Sequence, residues 1–233
     1  METKQSSLRT WGLVILVFAV IAACCVVYGV VTHQEAGLLQ VCWDNGHASY
    51  TEDIQGEGDS GQCKNPVPLV WPQKQLPLSV VVFSNNHTAL KEQDRGSKIV
   101  KEAMDDFNLQ VGKLLFSVAN IADEEPDVVV IWGAPSVVGA TGSESGKIGG
   151  YVNHAKIGTT MQSIQSIVRI RETSSDRLAF VTTLHELGHV IGLSHDQFIS
   201  SLMYPRMVTD ELNTATTRLT DSDVRLIRTT YGL

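Results

Sequence analysis

Apolar and polar residues alternate with several different periods along these 233 residues, and each period predicts a different element. Trp11 to Val31 carries no charge at all. Leu76 to Ser84 is rich in β-branched residues and predicts a partly buried strand. Lys98 to Leu115 places Ile99, Ala103, Met104, Phe107, Val111 and Leu114 at helical intervals, which predicts one apolar stripe. Two more strands are predicted, a short apolar run at Asp127 to Trp132 and a looser alternation at Ser163 to Arg171. A second helix is expected to start at Ser175 or Asp176, both good N-cap types, and to run to Ile191. Its residues Phe180, Leu184, Leu187 and Ile191 share the face opposite His185 and His189. The expected order is strand, helix, strands, helix, loop and a closing helix over Leu219 to Gly232, an α/β (α+β) domain with a mixed, twisted sheet.

The uncharged run changes the picture of the whole chain. A helix of its length spans about 30 Å, enough to cross the hydrocarbon core of a bilayer. Lys4 and Arg9 precede it and Glu35 is the first charge after it, so residues 1–10 are expected in the cytoplasm and the bulk of the chain outside. We therefore expect a single-pass signal anchor at 11–31, in contact with lipid, in a cell membrane. Two alternatives keep the same extracellular or periplasmic address. Ile21-Ala22-Ala23-Cys24 resembles a lipoprotein cleavage box, and a cleaved leader would give plain secretion. Residues 32–65 turn polar and glycine-rich and read as a stalk or linker, leaving 66–233 as the main domain.

Charge and cysteine content narrow the partners. A formal charge of −7 with no basic run argues against nucleic acid. Cys24 and Cys25 lie in the apolar run, so Cys42 and Cys63 are the remaining pair, suited to a disulfide in an oxidising compartment, with a latency switch at Cys63 as the alternative. Asn86-His87-Thr88 matches an N-glycosylation acceptor. Asp123, Glu124, Glu125 and Asp127 are either a solvated turn or a calcium (Ca2+) site.

The chemistry is concentrated in His185-Glu186-Leu187-Gly188-His189-Val190-Ile191-Gly192-Leu193-Ser194-His195-Asp196. Histidines four apart on a helix project from one face, and Gly192 lets the chain turn so that His195 approaches from another direction. Three imidazoles leave a fourth position open, which is the pattern of one catalytic Zn2+. Glu186 stands beside the first histidine, placed to take a proton from a zinc-activated water. Ser201-Leu202-Met203-Tyr204-Pro205 follows as a methionine-bearing turn.

The extended histidine string, this turn and the closing Leu219 to Gly232 segment resemble the metzincin zinc endopeptidases, and among them the matrixins. The resemblance covers about two-thirds of the chain, loosely back to Trp71. It implies His185, His189 and His195 as zinc ligands, Glu186 as catalytic base and Met203 as the Met-turn residue. It also implies that Tyr151, Val152, Asn153, His154 and Ala155 form an edge strand along which an extended substrate pairs. Tyr204 and Pro205 would border the pocket for the residue after the cut, although Tyr204 reads equally as a packing residue. Of the residues that hold a second zinc in many matrixins, only His154 is present, and it reads as an ordinary strand residue. The expected activity is hydrolysis of peptide bonds in extracytoplasmic proteins. The alternatives are a silent membrane-tethered binding protein and a zinc hydrolase of a non-peptide substrate.

Overall fold

The computed structural model describes residues 37–44, 47–50, 66–84, 90–119, 125–134, 150–157, 163–171, 173, 175–196, 201–204 and 218–233. One mixed sheet of eight strands carries the fold, in the order β3-β1-β2-β7-β8-β6-β4-β5. The strands are β1 (Gln40–Asp44), β2 (His47–Tyr50), β3 (Val67–Pro68), β4 (Leu78–Ser84), β5 (Phe116–Val118), β6 (Val128–Ala134), β7 (Gly150–Ile157) and β8 (Ser163–Arg171). Parallel pairing joins β5 to β4, β4 to β6 and β6 to β8. β7 then runs antiparallel to β8 along its whole length.

Among the described residues, three α-helices accompany the sheet: α1 (Leu90–Val111), α2 (Asp176–Val190) and α3 (Asp221–Tyr231). The apolar stripe of α1 is buried through Ile99, Ala103, Met104, Phe107 and Val111. The helix starts eight residues before the predicted Lys98 and stops at Val111, where Gly112 turns with φ +73°. Leu114, predicted on the stripe, therefore lies past the helix and is 55% exposed, while Leu115 and Phe116 turn inward. Arg95 of α1 bonds Asp176 and the carbonyl of Thr173, which fixes α1 against the start of α2. Inside the core, Trp71, Trp132, Phe107, Phe116 and Tyr231 are the largest buried side chains.

The segment predicted as a polar stalk departs most from expectation. Residues 40–44 and 47–50 are strands of the sheet, and Leu39 and Val41 are buried in the core. The composition average over 32–65 hid a local strand signal. Leu38-Leu39-Gln40-Val41 precedes Asn45-Gly46, the dipeptide that best marks a two-residue hairpin turn. β1 and β2 pair antiparallel on either side of it, with Asp44 opposite His47. Cys42 of β1 is disulfide-bonded, and its expected partner Cys63 lies outside the described residues. The apolar run 11–31 and the Asn86 acceptor also lie outside them. No helix among the described residues is long and apolar enough to cross a membrane.

Candidate metal centre

α2 begins where its N-cap chemistry predicts. Ser175 accepts from the Leu178 N–H at 3.2 Å, satisfying one of the amides that a helix start leaves unpaired. Leu184, Leu187 and Val190 are buried on the core side, and His185, Glu186 and Gly188 are buried as well, so the helix is covered nearly all round. Gly188 has to be small. A Cβ there would fall on Met203 Sδ, so the methionine turn lies directly against the helix.

Gly192 ends the helix with φ +94°, a conformation in which a side chain is strained, and a Cβ would also run into the Leu69 carbonyl. The turn brings His195 back to the other two histidines. His189 Nε2 stands 3.1 Å from both His185 Nε2 and His195 Nε2. The three rings form the one group of metal-ligating side chains found among the described residues.

The outer nitrogens settle which tautomer faces inward. His185 Nδ1 lies 2.7 Å from the Leu202 carbonyl and His189 Nδ1 lies 2.9 Å from the Leu193 carbonyl. A carbonyl only accepts, so each Nδ1 carries the proton and donates it. The Nε2 atoms of His185 and His189 are then bare lone pairs, and two lone pairs cannot hydrogen-bond each other. Their convergence suits a cation between them. Nitrogens about 2.0–2.1 Å from a tetrahedral zinc are separated by about 3.4 Å, close to the spacing seen here. Burial also favours the neutral rings that a metal needs: it lowers His185 and His189, and it draws His195 down to about 4. Glu186 is buried with them, and desolvation pushes its carboxyl up to about 8.

A model of the Matrixin family, peptidase family M10, matches residues 70–232, most of the chain. The chain is a matrixin. It is accordingly a zinc metallopeptidase with a metzincin-type domain. No curated protein sequence matches it. Among solved structures, archaemetzincin from Methanopyrus kandleri is similar at 12% identity and a TM-score of 0.42, over 67% of this chain and 96% of that one. Myroilysin is similar at 12% identity and a TM-score of 0.38, over 67% of this matrixin and 83% of myroilysin. At these values neither adds to the assignment.

Other expected site residues fall in different places. His154 is buried in β7, with Nδ1 2.5 Å from Ser166 Oγ on the neighbouring strand, and desolvation draws it down to about 3. Asp127 accepts from the Ser79 amide and hydroxyl and from Gln75, joining β4 to the start of β6. Asp123, Glu124 and Pro205 lie outside the described residues, and Tyr204 is half-buried. Tyr151 to Ala155 lie in β7. β7 has β8 on one side and β2 on the other, with His47 the register partner of Ala155. Four supporting contacts had no signal in the sequence. They are the Leu202 and Leu193 carbonyls that orient the histidines, the Trp71 indole on the Val190 carbonyl at 2.6 Å, and the Tyr231 hydroxyl on the Ile191 carbonyl at 2.9 Å.

Proposed function

We propose that the protein is a membrane-anchored zinc metalloendopeptidase that cuts extracytoplasmic proteins or peptides, with 11–31 as its anchor, 1–10 in the cytoplasm and 66–233 carrying the catalytic apparatus. The observation that carries the catalytic part is the convergence of three Nε2 atoms, with two of the rings held by backbone carbonyls. His185, His189 and His195 would hold one zinc ion. Bound there, zinc supplies Lewis acidity, polarising a carbonyl and lowering the pKa of water from about 15.7 towards 7.

The protein's own residues do the rest. Glu186, one residue after His185 on the same helix, accepts the proton of the attacking water and delivers it to the departing amine. Its burial keeps competing solvent away, and a bound cation would oppose the upward pull of desolvation on its carboxyl. Met203, packed on Gly188, keeps the turn bearing Leu202 against the helix, so that His185 keeps its tautomer. Tyr204 and Pro205 would border the pocket for the residue after the cut, and Tyr151 to Ala155 would support the substrate backbone. Calcium would be at most an accessory near Glu125.

The test is cleavage of a quenched peptide library by the protein, with and without a zinc chelator, beside Glu186→Ala. Zinc-dependent cleavage that falls by at least about a hundredfold in Glu186→Ala is expected for loss of a general base. Zinc-loaded protein that cuts nothing, or a Glu186→Ala variant as fast as the parent, would sink this reading.

A further inference from the structure

Between His189 and His195 the chain turns through Gly192, Leu193 and Ser194, all three of them buried. Each buried amide and carbonyl of that turn needs a partner. The helix before it supplies three: Gly192 N–H donates to the His189 carbonyl at 3.0 Å, Leu193 N–H donates to the Gly188 carbonyl at 2.9 Å, and the Leu193 carbonyl accepts from His189 Nδ1. The others come from far upstream. Leu39 N–H donates to the Gly192 carbonyl at 2.7 Å, and Ser194 N–H donates to the Gly37 carbonyl at 2.9 Å. Gly37 N–H donates in turn to the Ser194 hydroxyl at 3.1 Å, and Leu38 faces Leu193 in an antiparallel bridge.

The upstream stretch is itself firmly seated. Leu39 is buried, and its carbonyl accepts from the Leu69 N–H at 2.8 Å. The chain then continues into β1, which buries Val41, carries the disulfide-bonded Cys42 and pairs with β2 and β3. A ladder of backbone hydrogen bonds thus runs from Leu69 through Leu39 to Gly192. Its end acts on the ligands by two routes. Gly192 and Ser194 flank Leu193, whose carbonyl orients the His189 ring, and Ser194 directly precedes His195.

We propose that residues 37–39 are a positioning strap of the metal centre, acting through Leu193 on His189 and through Ser194 on His195. The proposal rests on the metal reading above, because the strap matters only if the three histidines hold an ion. The catalytic apparatus then includes Gly37 to Leu39 as well as 66–233, and the active form of this matrixin retains them. A stretch that only completed the core would stabilise the metal-free and metal-bound folds equally, leaving metal affinity unchanged. A strap that sets ligand geometry is coupled to the ion, and such coupling is reciprocal.

The experiment compares the full chain with its Ser194→Ala variant, which removes the hydroxyl that accepts from Gly37 and leaves all three histidines in place. The probes are Zn2+ and Co2+, the latter because its visible absorption reports the geometry of its ligands. Binding of both ions weaker by about tenfold, with an altered Co2+ spectrum, is the expected result for loss of a group that supports the ligands. Unchanged affinity and spectrum, whatever happens to the unfolding midpoint, overturn the strap and leave the metal reading standing. A parent chain that takes up neither ion overturns that reading, and the proposal with it. A second measurement needs no variant. By reciprocity the ion must tighten the strap, so the Leu39 and Ser194 amides of the full chain should exchange about tenfold more slowly with zinc than after chelation. The comparison is made where exchange is by local opening, so that the Ala119 amide, bonded to Val80, is indifferent to the metal. Leu39 and Ser194 amides that exchange equally with and without zinc overturn the proposal.

Discussion

At the residue scale, two positions carry more than their size suggests. Gly188 leaves room for Met203, and alanine there would force the thioether aside. Overpacking of this kind costs about 1–3 kcal/mol. Because Met203 follows Leu202, whose carbonyl orients His185, Gly188→Ala should weaken zinc binding by about tenfold, measured by competition with a chromophoric chelator. Tyr231 donates to the Ile191 carbonyl and accepts from the Trp71 amide. Tyr231→Phe should cost about 1–3 kcal/mol in denaturant titrations, because both backbone groups are buried. Burial raises the Tyr231 hydroxyl from 10 to about 12, so the unfolded chain loses this proton first as pH rises. Stability is thus intact below pH 10 and declines by about 2–3 kcal/mol as pH rises towards 12, a decline that Tyr231→Phe should lack.

Among the elements, α3 shows how local chemistry fixes a boundary. The Thr220 hydroxyl accepts from the Asp223 amide while the Asp223 carboxylate accepts from Thr220, and Gly232 closes the helix in the left-handed region. Thr220→Ala should cost about 1 kcal/mol and speed amide exchange in the first turn of α3, read by hydrogen exchange. Local signals of this kind explain what could be read in advance. The Ser175 cap and the spacing of Leu184, Leu187 and Ile191 placed α2 within a residue of its observed end. β8 was found with its observed limits because alternation extends over the whole strand. The start of α1 was missed because its first turns, Leu90 to Gly96, are polar and lack the apolar stripe. β1 and β2 were missed because they are short and lie in a glycine-rich, polar stretch, and β3 is only two residues long. Sheet order, which puts β2 beside β7, depends on contacts distant in sequence and leaves no local trace.

Considered as a whole molecule, the three histidines were legible because their ligand spacing is local, whereas their orientation comes from carbonyls in two separate loops. A zinc ion held there would bind only the folded chain and tie both loops to α2. At free zinc roughly a thousandfold above Kd, such binding contributes about 4 kcal/mol. Removing it with a chelator should lower the thermal midpoint by about 8–16 °C in calorimetry, given about 2–4 °C per kcal/mol for a domain of this size. An unchanged midpoint would mean that the histidine cluster does not hold a metal.

The hydrogen bonds of Tyr231 also set an order of assembly. Trp71, Val190, Ile191 and Tyr231 meet at one point beneath the metal loop, and the last of them is supplied by α3. A nascent chain that has already translated every histidine of the cluster still lacks the hydroxyl that holds the end of α2 in place. Synthesis from N- to C-terminus therefore delays a finished centre until α3 has emerged.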